Sequence, residues 1–140
     1  MDAELRPTIM QTDGLAPAAR TALAMFERDA KRAYGDDLLK VVLFGSRARG
    51  DARADSDVDV AVVLRRITDR GIDRNRLADI AYDAIVETYT DLQAIPVSLD
   101  EWEEPERHRN PALIRAIKRD GLEIEGQDDP RDTRQSFPVR

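Results

Sequence analysis

The chain has 140 residues, 41% hydrophobic and 36% charged, with no cysteine and a net charge of −6. That is enough for one hydrophobic core, and too little for a catalytic domain plus a separate substrate domain. Disulfides and thiolate metal sites are excluded, as are an apolar membrane span of about 20 residues and a broad sequence-independent nucleic-acid surface.

In chain order the pattern reads αβαβαβα, a soluble α/β (α+β) domain over residues 17–125. It follows an N-terminal extension, 1–16, that shows no secretory signal, so a cytoplasmic protein is expected. Ala19, Leu23, Phe26, Ala30 and Ala33 form the apolar stripe of a helix over 17–34, with Pro17 in its first turn and Gly35 at its exit. Two apolar runs, about 38–45 and 58–65, predict buried strands. Leu77, Ile80, Ala81, Ala84 and Ile85 predict a helix over 73–89 with Asp73 as its cap. A third strand follows at about 92–98, where Pro96 points to an edge position. Asp100 is expected to cap a short turn through Trp102. A last helix spans 111–120, Leu122 to Glu125 adds a short strand, and the polar segment 126–140 reads as a disordered tail.

The most informative stretch is GSRARGDARADSDVD, residues 45–59. It joins the first two strands, opening with a phosphate-type Gly-Ser turn and closing on two carboxylates. Gly45 has no Cβ to block close approach and permits positive φ at the strand exit. Ser46 brings a hydroxyl donor, and the next N–H groups can meet an anion as a short helix begins. Arg47 and Arg49 place fixed positive charge where a triphosphate would lie, and with Arg53 they allow a local basic groove. Side chains two apart on a strand share a face, so Asp57 and Asp59 point together while Val58 and Val60 enter the core. Two carboxylates so close repel unless a cation lies between them, and hard oxygen ligands favour Mg²⁺ or Mn²⁺ over zinc.

The segment resembles the minimal nucleotidyltransferases of the DNA polymerase β superfamily, whose signature is Gly-Ser, ten residues, then Asp-x-Asp. Gly45, Ser46, Asp57 and Asp59 match it without a gap, and Ala48-Arg49-Gly50 and Ser56 look like the bacterial members. The resemblance implies a polymerase-β-type fold, a small mixed sheet of three to four strands with helices packed on it. It implies that the Gly-Ser turn holds the triphosphate of an NTP, ATP above all, and that the Asp pair binds two Mg²⁺ ions. A third carboxylate from a later strand would ligate a metal and activate an acceptor hydroxyl. By the same resemblance the chain pairs with a small helical HEPN-type protein, adding AMP to it as the antitoxin of a toxin–antitoxin pair. An oligomer is compatible with it.

The third position stays open between two residues. Asp91 stands at the start of the third strand and is the acid best placed to serve. Alternation puts Gln93 on the same face, and a neutral Gln93 there would favour a nucleotide- or partner-binding module without transfer. His108 reads as a surface residue, Trp102 and Tyr89 as packing aromatics, and Glu101, Glu103, Glu104 and Glu106 as a solvated face.

Overall fold

The computed structural model describes residues 8–9, 15–49 and 57–125. Arg53, Ser56, Gly50 and the expected tail therefore lie outside the described residues, as does most of the N-terminal extension. The elements are β1 (Thr8–Ile9), α1 (Pro17–Tyr34), β2 (Leu38–Phe44), α2 (Ser46–Arg49), β3 (Val58–Leu64), α3 (Arg70–Thr88), β4 (Leu92–Ser98), α4 (Leu99–Glu103), α5 (Pro111–Asp120) and β5 (Leu122–Ile124). They build one mixed sheet in the order β1-β5-β2-β3-β4. The mixed α/β architecture is the one expected. The two-residue β1, a strand in the N-terminal extension, is additional: it pairs parallel with β5 and brings the sheet to five strands.

The interior strand β3 is buried on both faces, as its near-continuous apolar run requires. Val58, Val60, Val62 and Leu64 pack under α1 and α3 with Leu23, Phe26 and Leu77. Ala61 and Val63 face the opposite layer, where Trp102, Ile114 and Ile117 cover them. β2 runs antiparallel to β3 and β4 runs parallel to it. β4 ends the sheet, which is why Pro96, with no N–H to donate, is tolerated there. No helix among the described residues is long and apolar enough to cross a membrane.

Three local expectations are corrected. α3 starts at Arg70, and its cap is Asp69, whose side chain accepts the Ile72 N–H at 3.2 Å. Asp73 instead accepts a 2.8 Å hydrogen bond from the Tyr34 hydroxyl, tying α3 to α1. Burial first, then this bond, pushes the Tyr34 pKa up to about 12. Ser98, not Asp100, caps α4: its hydroxyl accepts from the Glu101 N–H while the Glu101 carboxylate accepts from the Ser98 N–H. Tyr89 is no packing aromatic. It ends α3 in the left-handed region at φ 56° and is 95% exposed.

Glu101 also leaves the solvated face it was assigned to. Its side chain is only 13% exposed and is ion-paired with Arg70, which in turn donates to the Pro96 carbonyl at 2.7 Å. Burial alone would raise the Glu101 pKa, but the Arg70 hydrogen bond, the Ser98 N–H and the Arg70 charge outweigh it and hold it below the ordinary 4.5. A lowered folded pKa means that this stabilisation is present above the ordinary value and is lost as pH falls through the lowered one. Glu101→Ala is expected to cost about 1.5–3 kcal/mol, because charged hydrogen bonds and a capping box disappear together. Urea denaturation at neutral pH measures it; a variant as stable as wild type would show that the Arg70–Glu101 pair is idle.

Candidate active site

β2 leaves the sheet at Phe44, and the chain must turn sharply to begin α2. Gly45 makes that turn at φ 79°, a left-handed conformation that a side chain disfavours. A Cβ on Gly45 would lie 2.7 Å from Oδ2 of Asp59, so the turn packs directly against the second carboxylate. The 45–59 segment thus closes on itself: its first residue touches its last. Both Ala48 and Arg49 donate their N–H groups to the Gly45 carbonyl at 3.1 Å. Those two donors start the helix and do not face an anion, which narrows the set expected from sequence. Ser46 is half-buried at the helix start.

The two arginines separate. Arg47 is buried, with 8% of its surface exposed, rather than reaching out over the turn. Arg49 is exposed and borders a cavity of about 270 Å³ beside Gly45, closed on the far side by Leu113, Ala116 and Asp120 of α5.

Strand register places the carboxylates. Phe44 of β2 and Gln93 of β4 both pair with Asp59, so the three share one row across the sheet. One step earlier, the Val58 N–H donates to the Asp91 carbonyl at 2.8 Å, which sets Asp91 beside Asp57 on the same face. Asp57 and Asp91 are exposed and Asp59 is half-buried. Burial raises the Asp59 pKa above the ordinary 3.8, and the negative charges of Asp57 and Asp91 raise it further. Asp57, Asp59 and Asp91 are therefore brought together, and Gln93 joins them; the two candidates for the third position are neighbours rather than exclusive.

A divalent cation fits this donor set, since it would relieve the like-charge repulsion that Asp59 feels. Among the described residues no three acidic or imidazole side chains converge as a preformed metal cluster. The two observations agree once range is considered: charges interact well beyond coordination distance, so the carboxylates sense one another without meeting at one point.

His108 is half-buried, its Nδ1 accepting the Asn110 N–H at 2.9 Å, and Trp102 is buried in the core as expected.

Residues 23–123 match the family described as Nucleotidyltransferase domain, and the chain belongs to that family. A candidate protein adenylyltransferase from Methanocaldococcus jannaschii is 44% identical over 61 residues, covering 43% of this chain and 42% of that relative. The chain thus matches less than half the length of that curated relative. Among solved structures, a toxin–antitoxin crystallised with AMP-PNP superposes with TM-score 0.50 at 18% identity, over 86% of this chain and 81% of that one. A nucleotidyltransferase candidate from Sulfolobus solfataricus superposes with TM-score 0.44 at 20% identity, over 79% and 89%. The first likeness supports the polymerase-β-type fold.

Proposed function

We propose that this protein transfers AMP from ATP to a hydroxyl on a partner protein, acting as the antitoxin of a toxin–antitoxin pair whose partner is a small helical HEPN-type protein. The observation that supports it best is the contact between the Gly45 turn and Asp59, because it joins a phosphate-holding turn to a metal-holding carboxylate pair in one short segment. The names of the relatives, an adenylyltransferase candidate and a toxin–antitoxin, support the substrate and the setting.

In this reading Gly45 gives the triphosphate its approach, the Ser46 hydroxyl donates to a phosphate oxygen, and Arg49 balances negative charge. Asp57 and Asp59 would hold Mg²⁺ or Mn²⁺, with Asp91 at their flank. The ions, when bound, neutralise the phosphates and align the displacement. The acceptor hydroxyl oxygen bonds to the α-phosphorus, the bond to the bridging oxygen breaks, and pyrophosphate leaves with the electron pair. Asp91 takes the hydroxyl proton.

The alternative, a nucleotide- and partner-binding module, draws on Gln93 standing directly beside Asp59. One comparison separates them. If Asp91 is the base, Asp91→Asn keeps ATP affinity within a few-fold and cuts transfer of label from α-³²P-ATP by about 10²–10⁴-fold. If Gln93 holds the third position, Asp91→Asn is nearly silent and Gln93→Asp raises transfer. No pyrophosphate release by the wild type with its partner would leave the binding module standing.

A further inference from the structure

Beside Gln93 the open edge of β4 borders a cavity of about 510 Å³ between α3 and the start of α5. Its floor is apolar, built from Ala81 and Ile85 of α3 and Leu92 of β4, and its walls carry Arg74 and Arg109. In this acidic chain the nearby arginines are matched to carboxylates: Arg70 to Glu101, Arg107 to Glu104 and Arg115 to Glu106. Among the described residues Arg74 and Arg109 have no such partner, and both are exposed at the cavity. Two unmatched guanidiniums over an apolar floor, in a cavity also lined by Gln93, the strand partner of Asp59, are a binding surface for an anion-bearing group.

We propose that this groove is the acceptor site, and that it takes an acidic protein segment whose hydroxyl residue reaches past Gln93 to Asp91. The inference rests on the transferase reading above and deepens it. Acidic side chains of the segment pair with Arg74 and Arg109, and its apolar or ring carbons lie on Ala81, Ile85 and Leu92. Addition of a regular strand to β4 is disfavoured, because Pro96 lacks an N–H and Arg70 already occupies its carbonyl. A nucleic-acid acceptor is disfavoured too. The chain's net charge of −6 repels a phosphate backbone running beyond the two guanidiniums.

The test uses the full chain with three probes: fluorescein-labelled random poly(Glu,Tyr), a labelled oligothymidylate of similar charge, and a fluorescent ATP analogue with Mg²⁺. Expected are anisotropy-detected binding of poly(Glu,Tyr) by wild type, a loss of at least tenfold in Arg74→Glu/Arg109→Glu, and retention in Arg74→Lys/Arg109→Lys. AMP incorporation from α-³²P-ATP into the copolymer should fall in parallel, while all variants bind the ATP analogue as wild type does. Groove-dependent binding of the oligothymidylate in preference to the copolymer would overturn the proposal in favour of nucleic acid. Copolymer binding that is absent, or unchanged in the Glu variant, would overturn it outright. Loss of ATP-analogue binding in the Glu variant would place these guanidiniums on the triphosphate instead. Failure of wild type to bind the analogue with Mg²⁺ refutes the transferase reading itself, a separate result.

Discussion

Asp57→Asn combined with Asp59→Asn is expected to yield a folded protein in which Mg²⁺ no longer strengthens ATP binding and AMP transfer falls by at least about a thousandfold. Asn is isosteric with Asp, and the core contacts of β3 come from Val58, Val60, Val62 and Leu64, so the two amides leave the strand in place. Asp59 sharpens the expectation. Its folded pKa lies above the ordinary 3.8, so folding penalises its charged form relative to the unfolded chain. The neutral acid's contribution to stability is complete below the ordinary value and is lost as pH rises through the raised one. With divalent ions chelated, Asp59→Asn should therefore melt higher than the wild type at neutral pH, and that advantage should shrink as pH falls to the ordinary value. Calorimetric titration of ATP with and without Mg²⁺, together with melts in EDTA, reads both arms. Unchanged Mg²⁺-dependent binding by the double variant would remove the metal assignment from these residues.

Gly45→Val is the second large effect. A side chain at φ 79° costs on the order of 1–3 kcal/mol. The new Cβ also arrives 2.7 Å from Asp59 Oδ2 and must drive the carboxylate aside. Branching at Cβ further fills the space where phosphate meets backbone. The variant should lose roughly 2–3 kcal/mol of stability in urea denaturation and more than tenfold in ATP affinity. Ser46→Ala makes the contrast. It removes one donor to a charged oxygen, about 1.5–3 kcal/mol of affinity, without the backbone strain. Wild-type ATP affinity in Gly45→Val would mean that the triphosphate lies elsewhere.

The Gly-Ser turn and the Asp pair were readable as sequence because they are local. Spacing within one strand–turn–strand unit places Gly45, Asp57 and Asp59 whatever the rest of the chain does, and the periodicity of two or 3.6 residues identifies β2, β3, α1, α3 and α5. The apolar runs told which faces are buried, and Pro96 told that β4 is an edge. What needed the folded chain was every relation between distant segments. The parallel register of β4 on β3 sets both Asp91 and Gln93 in the site, something alternation within β4 could not choose between. Caps fall on Asp69 rather than Asp73 and on Ser98 rather than Asp100 because several capping side chains near each helix start compete, and a tertiary partner, Tyr34, takes Asp73. Arg47 and Arg49 look alike in sequence, yet burial separates them, since a helix turn points neighbouring side chains about 100° apart. The Arg74–Arg109 groove has no sequence signature at all: 35 positions separate its two charges, and only the packing of α3 and α5 against the β4 edge makes them one surface.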